Sequence, residues 1–358
     1  MMKTVFINVI AGDGIGVDVI REGKRVLEAI GSIHGGISFR FNDLPWSCQY
    51  YLEQGQGRMM PGDGLKILED CDSILLGAVG FPGVPDHVSL RGLLLPIRQG
   101  FDQYVNMRPI KLLKGLDSPI RVSDPAEIDF VVFRENSEGE YCGVGHIEHE
   151  GAPDEKAIQE AWFTRKGTER IIRYAFDYAR ANKLGNVLSA TKSNALNYSM
   201  VFWDKIFNEA KAGYPEIKTS SMHVDALAGL FIMKPRVLDV VVASNLFGDI
   251  LTDLGSAMLG SIGISPSANI NPERRYPSMF EPIHGSAPDI AGKGIANPVG
   301  TIWCIALMLE HLGLSEMNKL LMEAMEAVLG ERTVRTPDLG GTSRTEEVTD
   351  AIIAKLGK

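Results

Sequence analysis

Residues 238–260 read LDVVVASNLFGDILTDLGSAMLG, and the reading of this stretch decides the rest of the chain. The apolar run 240–243 has the character of a buried strand, and after Asn245 the apolar residues recur at helical spacing, so a strand leads through Ser244 and Asn245 into a helix. On that helix Asp249 and Asp253 lie four residues apart and project from one face. Two such carboxylates repel, by about 0.2–0.5 kcal/mol on an exposed helix and by more beside an apolar strand, unless a cation sits between them. Oxygen ligands suit a hard ion, Mg²⁺ or Mn²⁺, and no Cys or His cluster offers zinc a site. The plain alternative is a solvated face carrying two acids, but Leu246, Phe247, Ile250, Leu251 and Leu254 make most of this helix apolar. Acids on a mostly buried helix need a reason.

The strand-to-helix step fits the wider composition. A chain of 358 residues, 45% hydrophobic and 23% charged, suits two domains or one large α/β unit of an ordinary globular protein. No apolar run approaches the roughly 20 residues needed to cross a bilayer, and residues 1–30 lack the pattern of a signal peptide, so a cytoplasmic protein without membrane contact is expected. Cys48, Cys71, Cys142 and Cys304 are scattered, which argues for free thiols. A formal charge of −9 without a basic block makes nucleic acid an unsuitable partner.

Residues 5–10 read as a strand that breaks into AGDGIG, residues 11–16, before an amphipathic helix with Val19, Ile20, Val26, Leu27 and Ile30 inward. Its glycines permit either a close-approaching ligand or a tight structural turn, since the spacing is not GxGxxG. Further strands are expected at 37–41, 73–78, 130–133, 187–190, 217–224 and 268–270, with helices at 60–68, 167–182 and 195–212 and three more after residue 298. Arg98, Arg108 and Arg134, in loop or strand-end positions, can clamp carboxylates, though each alone reads equally as a surface ion-pair partner. Tyr141 lies in the polar loop ENSEGEYCG, residues 135–143, and needs partners to act as an acid. Residues 143–163 are charged and irregular and read as an arm or protruding hairpin.

Lys192 follows a strand end, where burial can turn a lysine into a base, and Asp225 at another strand end brings a third acid toward Asp249 and Asp253. Phe280 opens a long loop, FEPIHGSAPDIAGKGIANP, of a length that is usually functional. Its notable groups are His284 and Asp289. An aspartate there can accept hydrogen bonds from a ribose diol and repel a 2′-phosphate, favouring NAD.

Taken together, AGDGIG, RQGFDQYVNMRP, RENSEGEY, ATKSNAL, VDAL, NLFGDILTDLGSAM, the 280–298 loop and TPDLGGTSRTEEV resemble the metal-dependent β-decarboxylating dehydrogenases, the isopropylmalate/isocitrate dehydrogenase family, over nearly the whole length. WSCQYYLEQG, GAVGFPGVPDHVSL, VVASNLFGDI and PSANINPER resemble the tartrate/D-malate branch most. The resemblance implies an α/β fold distinct from the Rossmann fold, in which two α/β domains share a central mixed sheet. Residues 1–103 and 264–358 would form a large domain carrying the NAD loops, and 104–263 an inserted domain for dimerisation, substrate and metal, with the arm at about 143–163. It also implies a homodimer whose sites take Lys192 and Asp225 from one subunit and the arginines, Tyr141, Asp249 and Asp253 from the other.

The activity so implied is NAD⁺-dependent oxidative decarboxylation of a small-molecule 2-hydroxy dicarboxylate, D-malate or tartrate, with 3-isopropylmalate or homoisocitrate as the alternative. Arg98, Arg108 and Arg134 would hold the carboxylates, Lys192 take the hydroxyl proton and Tyr141 return a proton to C3. Asp225, Asp249 and Asp253 would hold Mg²⁺ or Mn²⁺, and a monovalent cation such as K⁺ is a further candidate. The loop residues His284, Gly285, Ser286, Ala287 and Asp289, with Asn297, would bind the adenosine half of NAD⁺, and Asn194 would lie near the nicotinamide. The segment before Arg98, with Leu94, would face the C3 substituent. There the chain departs from its branch: Arg91 stands where a tryptophan is usual, a cation suited to a third carboxylate. A second departure is Gly300, where alanine is commoner.

Overall fold

In the computed structural model, which describes residues 3–357, ten strands build one mixed sheet. In chain order the twelve strands are β1 (Lys3–Gly12), β2 (Ile37–Leu44), β3 (Ser73–Ala78), β4 (Val105–Lys111), β5 (Asp129–Glu135), β6 (Gly145–Glu148), β7 (Lys156–Gln159), β8 (Asn186–Thr191), β9 (Lys218–His223), β10 (Val240–Ala243), β11 (Pro266–Ile270) and β12 (Ser278–Pro282). The sheet order is β2-β1-β3-β12-β11-β4-β5-β10-β8-β9. Its two wings are parallel, and the strands between them pair antiparallel, β12 with β11, β11 with β4 and β4 with β5. The α/β class and the mixed sheet therefore hold. The expected hairpin is present as β6 and β7.

The wings are parallel because helices return the chain. Helices Ile15–His34, Val299–His311, Ser315–Glu331 and Thr345–Leu356 pack together beside the β1 wing, and β10, the strand that opened the reading, is wholly buried in the other. On β5 the side chains alternate as a pleated strand requires. Phe133 meets Tyr174 and Tyr178 of helix Arg165–Ala181, while Arg134 meets Gly248 of helix Asn245–Met258 on the opposite face. A Cβ at Gly248 would collide with the Arg134 side chain, so this helix lies close because it has none. Gly300 has a similar account: a Cβ there would press on the carbonyl of Gly263.

Several boundaries differ from expectation. Helix Asn245–Met258 is not buried all round: Phe247 and Leu251 face inward, whereas Ile250 is 58% exposed. Asp225 lies not in a strand but in the first turn of helix Val224–Met233, whose run of apolar residues hid its period. Residues 280–282 belong to β12, not to a loop, and Arg108 sits within β4. The helix expected at 195–212 is shorter, Ser199–Ala210, and the one at 60–68 begins at Gly64.

Candidate active site

Because directly opposed residues of antiparallel strands share a face, the register β5–β4–β11 puts Arg134 opposite Asn106 and Asn106 opposite Asn269. Arg108, two residues past Asn106, shares that face. Helix Asn245–Met258 covers it and brings Asp249 and Asp253 to the arginines. Arg108 Nη1 lies 3.4 Å from Asp249 Oδ1 and 3.8 Å from Asp253 Oδ1, and Arg134 makes a close ion pair with Asp249. The cation between the two acids of the single chain is thus Arg108. Arg134 is held from behind by Asn245 Oδ1, which accepts from Nε at 3.0 Å and from Nη2 at 2.7 Å.

Tyr141 reaches the same group. Its hydroxyl donates to Asp249 Oδ2 at 2.8 Å, and the Arg134 guanidinium lies 5.2 Å from its ring centre. Burial, with Asp249 beside it, raises the Tyr141 pKa above the ordinary phenol value, so it remains a proton donor. Burial works against ionised Asp249, but Arg134 and Arg108 overcome it and hold the carboxyl below its usual range. For Asp253 burial prevails and the shift is upward. Burial, helped by neighbouring Arg108, lowers Arg134 to about 10, so it stays charged at neutral pH.

Arg98 comes from helix Leu95–Gly100 and pairs with Glu281 Oε1 at 2.5 Å. Leu94, Arg98, Arg108, Ser267, Glu281 and His284 line one cleft of about 160 Å³. Asn297, Ala287, Ile15 and Asp338 line an adjacent, more apolar cavity of about 330 Å³, and His284 borders both. His284 is buried and its Nδ1 meets Gly285 O at 2.9 Å. That contact places the proton on Nδ1 and leaves Nε2 a buried acceptor without a partner. Asn297 donates to Asp338 Oδ2 at 2.9 Å. The glycines of AGDGIG serve a tight turn here: a Cβ at Gly14 would strike the Ser286 carbonyl, which accepts from Ile15 N at 2.8 Å. Ala287 has φ 38°, a left-handed conformation unusual for alanine, and Asp289 is exposed on the same loop.

Lys192 and Asp225 form a separate pair, Nζ to Oδ1 at 2.8 Å, with Asn194 exposed beside them. Lys192 is therefore ion-paired rather than buried. Its bond is the main cause of a lowered Asp225 pKa. Among the described residues no three His, Cys, Asp or Glu side chains come together to hold an ion, so one chain does not join Asp225 to Asp249 and Asp253.

Residues 6–352 match the family described as isocitrate/isopropylmalate dehydrogenase. The chain belongs to this family. It is 53% identical to a probable tartrate dehydrogenase/decarboxylase of Bacillus subtilis over 358 residues, 100% of this chain and 99% of that one. It is 49% identical to the decarboxylating D-malate dehydrogenase of Escherichia coli, covering 98% of each. Among solved structures, isocitrate dehydrogenase from Methylococcus capsulatus superposes with a TM-score of 0.88 at 33% identity, over 99% of this chain and 100% of that one. Membership in this dehydrogenase family makes the chain an oxidoreductase.

The residues of this dehydrogenase fit the two groups that the sequence resemblance implies, a divalent ion and NAD⁺. Asp249 and Asp253 are hard oxygen donors beside a small polar cleft. The unpartnered His284 Nε2, at an apolar cavity wall, suits a ligand that carries an amino donor on a flat ring. Sequence reasoning missed Glu281, Asn269, Asn106 and Asp338, all within this region. For Asn106 and Asn269 the available signal was a polar residue at every second position of the strand-like runs 105–108 and 267–270.

Proposed function

We propose that this chain is an NAD⁺-dependent oxidative decarboxylase of a 2-hydroxy dicarboxylate, D-malate or tartrate, working with Mg²⁺ or Mn²⁺. The observation that carries the reaction class is the convergence of buried Arg98, Arg108 and Arg134 beside Asp249, Asp253 and Tyr141. The substrate is read from relatives about half identical over nearly the whole chain, named for tartrate and D-malate.

The arginines hold the two carboxylates of the substrate and fix C2 and C3. Asp249 and Asp253, with Asp225 of a second copy, would hold the divalent ion, which would supply Lewis-acid polarisation of the C2 hydroxyl, and the His284–Asp289 loop with Asn297 would hold NAD⁺, which would supply the hydride acceptor. Lys192 takes the hydroxyl proton, leaving a 2-keto acid. The bond from C3 to its carboxylate then breaks, CO₂ leaves, and Tyr141 delivers a proton to the electron pair on C3.

For Lys192 and Asp225 to take part, a second copy must supply them. Supporting this are exposed apolar side chains, Tyr198 at 93% and Met233 at 78%, and an open groove of about 650 Å³ lined by Ala161, Phe163, Leu196 and Phe202. The working unit is then a homodimer with shared sites. Each subunit divides into residues 1–103 with 264–358, and an inserted domain 104–263, a division that falls at the antiparallel junction of β4 with β11.

One observation favours a second reading. Arg91 is exposed, yet a Cβ at Gly143 would collide with its guanidinium, so it lies against the loop that carries Tyr141. A cation there suits a third carboxylate, as in homoisocitrate. Steady-state assays with NAD⁺ and Mn²⁺ across D-malate, the tartrates, 3-isopropylmalate, isocitrate and homoisocitrate separate the readings. D-malate or a tartrate is expected to give the highest kcat/KM, and a clear preference for 3-isopropylmalate or homoisocitrate overturns the substrate assignment.

A further inference from the structure

Arg98 lines the cleft from the helix Leu95–Gly100, and Arg134 stands on β5, on the other side of the antiparallel strands β11 and β4, next to Arg108, which lines the same cleft. Between Arg98 and Arg134 runs a chain of buried side-chain hydrogen bonds. Arg98 Nη2 donates to Glu281 Oε1 at 2.5 Å, and Asn269 Nδ2 donates to the same oxygen at 2.7 Å. Asn269 Oδ1 in turn accepts from Asn106 Nδ2 at 3.0 Å and from Asn136 Nδ2 at 2.9 Å. Asn136 also donates to Gln103 O at 3.0 Å and stands just past the end of β5, two residues beyond Arg134. No member of this chain is more than 6% exposed, and Asn106 and Asn269 are fully buried.

A row of amides and a carboxylate at the centre of a sheet is a poor choice for stability alone, because apolar side chains of the same size pack there without desolvation. Some of its atoms are not even satisfied: Asn106 Oδ1, Asn136 Oδ1 and Arg98 Nε have no partner. What directional bonds supply, and apolar packing does not, is a fixed distance between their ends. We propose that Asn269 and Glu281 are positioning residues, which set Arg98 relative to β5 so that Arg98 and Arg134 grip one dicarboxylate together. Glu281 occupies one guanidinium nitrogen of Arg98 and orients the others toward the cleft that both residues line. Asn269 holds Glu281 and, through Asn136, ties that carboxylate to the strand that carries Arg134. Neither residue needs to touch the reacting atoms.

The inference rests on the reading that Arg98 binds a substrate carboxylate, and the test separates the two. Steady-state kinetics with D-malate, NAD⁺ and Mn²⁺ are compared for the unaltered protein, Arg98→Met, Asn269→Leu and the double variant. A shift of the clamp by a fraction of an ångström should raise the KM for D-malate about tenfold in Asn269→Leu, with the KM for NAD⁺ changed by less than about twofold. The double variant should bind D-malate no worse than Arg98→Met alone, because a residue acting through Arg98 has nothing left to position. A D-malate KM unchanged in Asn269→Leu, or losses that multiply in the double variant, overturns the positioning role. An unchanged KM in Arg98→Met overturns instead the assignment of Arg98 to the substrate. Should Asn269→Leu not fold, Glu281→Gln takes its place, since it keeps an acceptor for Asn269 and removes the charge that holds Arg98. It should raise the D-malate KM about fivefold and leave the KM for NAD⁺ within about twofold, and an unchanged D-malate KM again overturns the proposal.

Discussion

Asp249 has both oxygens engaged in the free chain, one facing Arg134 and Arg108 and the other accepting from Tyr141. Asn in its place keeps the size and an acceptor for Tyr141 but removes the charge a hard ion requires. Asp249→Asn is therefore expected to weaken Mn²⁺ binding at least about tenfold, followed by the free-Mn²⁺ signal in a paramagnetic resonance titration. Unchanged affinity would place the ion elsewhere. Lys192→Met removes the only base proposed for the substrate hydroxyl and should lower kcat by about 10²–10⁴-fold. NAD⁺ binding, read by quenching of tryptophan fluorescence, should survive; its loss would move Lys192 into the cofactor site. At this scale the sequence was a good guide where spacing is local. The pair Asp249 and Asp253 followed from the helical repeat, whereas Arg108 as the cation between them did not, because it comes from a strand more than a hundred residues away in the chain.

Among the elements, β4 and β12 escaped the sequence reading, and for one reason. Each places polar side chains at buried positions, Asn106 and Arg108 on β4 and Glu281 on β12, so stretches whose polar residues read as loop are buried strands where the site is built. Helix Val224–Met233 was hidden by the opposite cause: it is apolar on nearly every side, yet only Leu227 and Phe231 are buried in the single chain. Ile232 and Met233 stand exposed, and Gly229 has open space where a Cβ would be. A helix of that kind is built to meet another closely. If the proposed dimer is the working unit, Met233→Asp, harmless to a solvated surface, should give a single chain in light scattering and abolish turnover, since Lys192 and Asp225 would no longer reach the partner's Asp249. A fully active single-chain species would sink the shared site.

For the molecule as a whole, buried Glu135 and half-buried His311 set opposing responses to pH. Burial raises Glu135 from the ordinary 4.5 to about 7, against bonds from Ser137 and the amide of Glu138. Burial and nearby Arg274 lower His311 from 6.5 to about 4. The folded chain holds the Glu135 proton longer than the unfolded chain does, so the stability from that group is present below about 4.5 and lost as pH rises through about 7. For His311 the unfolded chain takes the proton first, so its contribution is present above about 6.5 and lost as pH falls toward about 4. Each shift corresponds to something on the order of 3 kcal/mol across its window, and between about pH 4.5 and 6.5 the two slopes cancel. Thermal unfolding of the unaltered protein, at fixed concentration, should therefore change little over that interval as far as these groups decide it. His311→Phe removes the rising limb, and its melting temperature should fall steadily from pH 5 to pH 7. Glu135→Gln removes the falling limb, and its melting temperature should climb over the same range whatever its absolute stability. Parallel profiles for all three proteins would mean that neither group changes its proton affinity on folding, and the acid and alkaline limits would then have to come from the arginine and aspartate cluster instead.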